Sequence, residues 1–118
     1  MKIIYYLYEV GKYRKLFYLK KTCGVYQLKI GRKTYIGSTC DLYVRLVEHS
    51  AGLRRNTHQN KVLQKHFNIH KKIKYRILSF CEVDQLKTTE QFYINKYKPT
   101  LNLRNKVGQT VHEYNFYH

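Results

Sequence analysis

Acidic side chains are the scarce resource in this chain, and Glu9, Asp41, Glu48, Glu82, Asp84, Glu90 and Glu113 can be taken one at a time. A two-metal nuclease needs several carboxylates converging on its ions, and no such cluster is visible. Glu82 and Asp84 stand at strand-face spacing, but no Lys follows where an acid-x-Lys motif wants one, so they read as turn and N-cap residues. Glu90 differs because Leu86, Tyr93 and Ile94 share its helical stripe, so it faces inward or into a cleft. A carboxylate there needs a cation or a metal ion, which describes a structural ion pair as well as a ligand. Arg45 and His49 stand four apart on one helix and point the same way, a spacing that also fits a solvated charged stripe. The histidines do not combine with the cysteines at a zinc-finger spacing. His66 and His70 form an i, i+4 pair without two further ligands close in sequence.

The elements that must position these groups follow from pattern. Cys23 to Lys29 and Lys33 to Gly37 are β-type runs around Ile30-Gly31-Arg32, which predicts a hairpin with Tyr26 and Tyr35 near each other across the ladder. Ser38-Thr39-Cys40-Asp41 supplies N-cap residues for a helix from about Asp41 to Gly52, with Gly52 as C-cap. A second helix is predicted from Asn60 to about His70, its stripe made by Val62, Leu63, Phe67 and His66. Ile73 to Cys81 reads as a strand, and Asp84 as the cap of a third helix that must stop before Pro99. The order β-β-α-α-β-α is a mixed α/β (α+β) fold with a small three-stranded sheet flanked by helices. Residues 1–22 read as a basic, Tyr-rich extension forming a hairpin around Gly11, and 105–118 as an added tail.

Composition narrows the partner. The 118 residues carry 23 Lys plus Arg against 7 Asp plus Glu, a net charge of +16. A chain of this length holds one core, and 43% hydrophobic residues exclude a disordered basic tail. So much positive charge gathers polyanions. The 13 Tyr interleaved with Lys and Arg favour nucleic acid over a membrane surface, although most of the rings also suit the packing of a small core. The run Ile3 to Tyr8 is too short for a signal peptide or a membrane span. Cys23, Cys40 and Cys81 form an odd set with no close pair in sequence, which suits buried thiols in a reducing, cytoplasmic compartment.

Gly24-Val25-Tyr26 and Tyr35-Ile36-Gly37 on the hairpin resemble the two tripeptides of the GIY-YIG nuclease family. Ser38-Thr39, Arg45, His49, His58, Glu90 in Thr-Glu-Gln-Phe-Tyr-Ile and Asn102 in Leu-Asn-Leu follow in the family's order, over about residues 23–104. The resemblance implies a catalytic domain that hydrolyses phosphodiester bonds in DNA with one divalent metal, Mg²⁺ with Mn²⁺ as substitute, held by Glu90. It implies Tyr26 as general base, Arg45 as stabiliser of phosphate charge, and His49 as acceptor of the Tyr26 hydrogen bond or of its proton. Tyr35 would position water or phosphate, Gly24 and Gly37 would keep the strand ends open, and Asn102 would support local backbone. Lys33 and His58, with Arg54, Arg55, Lys12, Arg14 and Lys15, are the expected DNA contacts. A free-standing enzyme of a phage, virus or mobile element, acting in the host cytoplasm with a homodimer open to it, is the setting expected. The alternative from another class is a basic nucleic-acid-binding module without catalysis. A His/Asn metal-finger nuclease built on His58, Asn60 and His66 would leave the hairpin motifs unexplained.

Overall fold

The computed structural model describes residues 4–6 and 18–102. Its elements are β1 (Ile4–Tyr6), β2 (Gly24–Ile30), β3 (Lys33–Thr39), α1 (Leu42–Arg55), α2 (Lys61–His70), β4 (Lys74–Phe80) and α3 (Leu86–Tyr97). The strands form one antiparallel sheet in the order β1-β4-β2-β3. The predicted three-stranded core with its helices is present. β1 adds a fourth strand to its edge.

Two residues join β2 to β3, and the first of them, Gly31, has φ +61. A two-residue hairpin whose strands keep their right-handed twist needs positive φ there, which glycine adopts without strain. The strands that follow alternate by face. Tyr26, Leu28, Ile30, Tyr35, Tyr75 and Ile77 belong to the larger core cluster with Leu42, Leu46, Leu53, Leu63 and Phe67 of α1 and α2. Val25 and Ile36 belong to a second cluster with Ile94 of α3, flanked by Leu78, Tyr93 and Tyr97. Burying each of these large side chains is worth about 1.5–3 kcal/mol, so period-two patterning in the strands pins helices to both faces.

Several boundaries differ from the sequence reading. α1 runs past Gly52 to Arg55 and stops at Asn56, whose φ of 61 is left-handed and whose N–H caps the Gly52 and Leu53 carbonyls. Asn is the usual substitute for glycine in that role. At its start, Asp41 does cap α1, accepting from the Val44 N–H at 3.0 Å. Asp84 does not cap α3. It sits inside a 3-10 turn, Val83–Gln85, whose entry is held by the Glu82 N–H donating to Gln85 Oε1 at 3.4 Å. On α2 the inward residues are Leu63, Gln64 and Phe67, while Val62 is exposed. The cysteines are half-buried rather than buried. Although distant in sequence, Cys23 and Cys40 are hydrogen-bonded neighbours, and burial followed by that neighbour raises the Cys23 thiol to about 11.

Contacts run across position 22. Leu19 is fully buried within the main core cluster, the Thr22 carbonyl accepts from the Leu42 N–H at 3.1 Å, and β1 pairs with β4 in the register Ile4↔Arg76, Tyr5↔Tyr75 and Tyr6↔Lys74. The hairpin turn predicted around Gly11, the contacts expected of Lys12, Arg14 and Lys15, and the tail 105–118 lie outside the described residues.

Candidate active site

β2 and β3 bring the two tripeptides together with a diagonal offset. Tyr26 pairs with Gly37, and Tyr35 pairs with Leu28. The two phenol rings therefore meet obliquely, their centroids 6.4 Å apart. The partner opposite Tyr26 has to be small. A Cβ added at Gly37 would lie 2.6 Å from Tyr26 Oη, and one at Gly24 would lie 2.7 Å from the Ser79 carbonyl oxygen. Gly37 stands within β3 rather than at a strand end, so it makes room for the phenol and does not turn the chain into α1.

α1 lays Arg45 and His49 over this pair. Tyr26 Oη and His49 Nε2 are 2.6 Å apart, and the His49 ring lies edge-on to both Tyr26 and Tyr35. The Arg45 cation lies close enough to the phenol to favour its ionised form, and its Nη1 donates to Glu48 Oε1 at 3.2 Å. The i, i+4 spacing is thus an inward pair and not a solvated stripe, for Arg45 is 6% exposed and His49 is fully buried.

His58 departs most from expectation. It does not face solvent to meet DNA: its ring is stacked on His49 with centroids 5.0 Å apart and is 4% exposed. Its Nε2 is 2.8 Å from His49 Nδ1, and its Nδ1 accepts from the Asn60 N–H at 3.0 Å. Asn60, which sequence reasoning marked as a helix start, is the hub of this loop. Its Oδ1 caps α2 by accepting from the Leu63 N–H, and its Nδ2 donates to the Leu101 carbonyl at 2.9 Å. A cap residue two positions after a histidine was the available signal.

Glu90 arrives from α3, 1% exposed, with Ser38 Oγ donating to its Oε1 at 2.5 Å. One buried carboxylate held by a hydroxyl fits Mg²⁺, a hard ion that keeps several waters and needs only one or two protein oxygens. Among the described residues no group of three or more His, Cys, Asp or Glu converges as a metal centre. Asn102 reaches the same region by clasping Ile36, accepting from its N–H at 2.8 Å and donating to its carbonyl at 2.9 Å. The middle residue of the second tripeptide is thereby gripped as by an added strand. Lys33, Arg54 and Arg55 are exposed, Lys33 with its Nζ 3.5 Å from His66 Nε2.

Electrostatics divide the site. Burial foremost, then Tyr35, pushes the Tyr26 phenol well above its ordinary value, with Arg45 pulling it back. Burial, with Arg45 and His58 beside it, drives His49 well below the usual imidazole range, and burial with Arg45 and Lys61 lowers His58 to about 4. Both imidazoles are therefore neutral near pH 7.

A buried hairpin tyrosine paired with a histidine of α1, an arginine one turn before that histidine and a lone carboxylate on α3 are the equipment of a phosphodiester-cleaving enzyme with few acids. The family model of the GIY-YIG catalytic domain matches residues 22–105, and the chain belongs to the GIY-YIG family, as a nuclease of the endonuclease type. Among solved structures it is similar to the catalytic domain of the intron endonuclease I-TevI, in a mutant form. That match has 29% identity, covers 65% of this chain and 84% of that one, and gives a TM-score of 0.60. No curated protein matches the chain. Nucleases of this family generally use a divalent metal. Among the described residues no helix is long and apolar enough to cross a membrane.

Proposed function

We propose that the protein is a DNA endonuclease that hydrolyses single phosphodiester bonds, using one Mg²⁺ held by Glu90, with Mn²⁺ as a substitute. The observation that carries this reading is the 2.6 Å contact between Tyr26 and His49 beneath Arg45, because a binding module gains nothing from burying a phenol, an imidazole and a guanidinium together. When bound, the ion would stabilise charge on the scissile phosphate and the leaving 3′ oxygen. Tyr26 is the general base toward the attacking water. A phenol is a poor base in its neutral form, and the Arg45 cation beside it favours the phenolate against the burial that opposes it. Arg45 offers the phosphate a planar cationic fork, and Glu48 and burial restrict the arc it sweeps. Tyr35 fixes the ring edge of His49. Ser38 holds the Glu90 carboxylate in one orientation, and Asn102 fixes the backbone between Tyr35 and Gly37. A role in a phage, virus or mobile element suits a nuclease of this kind, and a homodimer would let two such sites cut both strands.

Supercoiled plasmid with Mg²⁺ or Mn²⁺ tests the reading. The wild type should nick it, EDTA should stop the reaction, and Glu90→Gln should lower the rate by on the order of 10²–10³ while DNA binding persists. Retardation of DNA without nicking, unchanged in Glu90→Ala, would establish the binding module instead.

A further inference from the structure

The chain Asn60–His58–His49–Tyr26 has a direction, and it is set at the end farthest from the phenol. A backbone N–H can only donate. Asn60 N lies 3.0 Å from His58 Nδ1, so that nitrogen carries a lone pair. His58 is buried and neutral near pH 7, so its one proton is on Nε2. That N–H points at His49 Nδ1, 2.8 Å away, which must accept. The one proton of neutral His49 is then on Nε2, 2.6 Å from Tyr26 Oη. The opposite polarity would run from Tyr26 O–H into His49 Nε2 and from His49 Nδ1–H into His58 Nε2. It leaves His58 either with no proton at all or with a proton on Nδ1 facing the Asn60 N–H.

We propose that His58 and the Asn60 amide are positioning groups that lock His49 in its Nε2–H tautomer, so that the Tyr26 oxygen receives a hydrogen bond from His49 instead of giving one. The catalytic meaning of this lock rests on the endonuclease reading above. Two consequences follow. An Nε2 that already carries hydrogen has no lone pair, so His49 does not take the proton of Tyr26 onward. A hydrogen bond from His49 and the Arg45 cation nearby both favour the negative phenolate against the burial that opposes it, and a lone pair left on Oη takes the proton from water. In that step the water O–H bond breaks and an Oη–H bond forms. The freed oxygen bonds to phosphorus, and the 3′ oxygen departs with the electron pair of its P–O bond. The phenol then gives its proton to solvent water, and the departed 3′ oxygen takes up a proton from solvent.

The lock is read directly on the metal-free wild-type protein labelled with ¹⁵N-histidine, where long-range ¹H–¹⁵N correlation separates protonated from bare ring nitrogens. Near pH 7 His49 and His58 should both appear as single Nε2–H tautomers. A His49 proton on Nδ1, or averaging between the two nitrogens, overturns the proposal. His58→Leu removes the donor and should turn His49 into a tautomer mixture. It should also raise the apparent pKa of the ascending limb of plasmid nicking by about one unit, which is about a tenfold loss of rate below it. His58→Gln, whose amide can donate to Nδ1, should keep both readouts near wild type. An unchanged tautomer and pH profile in His58→Leu would show that His58 only fills space. A wild type with the expected tautomers that never nicks DNA would sustain the lock and sink the endonuclease reading alone.

Discussion

Gly37 shows how much the site depends on one absent carbon. Its missing Cβ would lie 2.6 Å from Tyr26 Oη and 2.8 Å from Cζ, whereas one added at Gly52 would meet nothing nearer than 3.6 Å. Gly37→Ala should therefore displace the Tyr26 ring, cost about 1–3 kcal/mol as overpacking, and lower nicking by on the order of 10² if a shift near 1 Å misplaces the base. Gly52→Ala, inside α1, should instead raise stability by about 0.5–1 kcal/mol through helix propensity. Thermal unfolding and plasmid nicking on the two variants check this, and a fully active Gly37→Ala would remove Tyr26 from the reaction centre. Titration gives a second handle. His58 falls from an ordinary 6.5 to about 4 in the fold, so below pH 6.5 the unfolded chain takes up its proton first. Stability contributed by neutral His58 is present above about 6.5 and lost as pH falls toward 4, a span worth about 3 kcal/mol at most, and His49 acts in the same direction. The urea midpoint should be lower at pH 5 than at pH 7.5, and this pH difference should shrink in His58→Leu; an equal difference in the two proteins would contradict it. The motif residues Tyr26, Tyr35, Arg45, His49 and Glu90 are legible in sequence because type and order suffice. The inward turn of His58 was not, since it depends on Asn60 reaching Leu101 and on Gln64 accepting from the His58 N–H at 3.1 Å while donating to the Leu53 carbonyl. These contacts lie beyond any local pattern.

Among the elements, β3 is the one that everything else holds in place. It has β2 on one side, while Asn102 clasps Ile36 and the Leu101 N–H donates to the Thr34 carbonyl at 2.9 Å. The segment after α3 thus behaves as a clamp on β3. Asn102→Ala leaves the Ile36 N–H and carbonyl without their partners, and should cost about 2–3 kcal/mol and lower nicking with little change in DNA affinity. Hydrogen exchange at the Ile36 amide reads this directly, and protection equal to wild type would show the clasp to be dispensable. Asn102→Asp keeps the acceptor for the N–H and loses the donor, so it should fall between. Strand and helix identities were legible from period-two and helical spacing, which act over a few residues. Helix ends were harder. Gly52 looks like a C-cap until the contacts of Leu53, fully within the core cluster, carry α1 another turn to Asn56. The clamp itself spans a sequence separation of 66 residues, and spacing arguments do not reach that far.

Taken as a whole, the molecule is a small core under a surface with a large excess of positive charge. The charge was legible from composition, and so was the β character of the run before Gly11, but the pairing of β1 with β4 was not, because an edge strand of three residues carries too little pattern to show its partner. Like charges meet across the sheet where Lys29 pairs with Lys74. Together with Arg32 and Arg76 these line a cavity of about 290 Å³ on the face that also carries Gln27 and Thr34. Same-sign neighbours directly opposite each other on a ladder are destabilising, and a net charge of +16 opposes compaction throughout. Salt should therefore act in opposite directions on the two properties of this protein. Screening relieves self-repulsion, so the thermal midpoint of the free protein should rise between 50 and 300 mM NaCl (roughly, a Debye length shrinking from above to below 10 Å). Counterion release makes DNA binding weaken over the same range, with a logarithmic slope of about −0.9 per phosphate neutralised. Arg54 and Arg55, exposed at the end of α1, enter this second term. If each sits on a phosphate, the double variant Arg54→Ala/Arg55→Ala should flatten the slope by about 2 and leave the cleavage rate of bound DNA unchanged. A slope identical to wild type would move the DNA track off the α1 end. A thermal midpoint that fell with salt would show that the excess charge is already compensated within the fold.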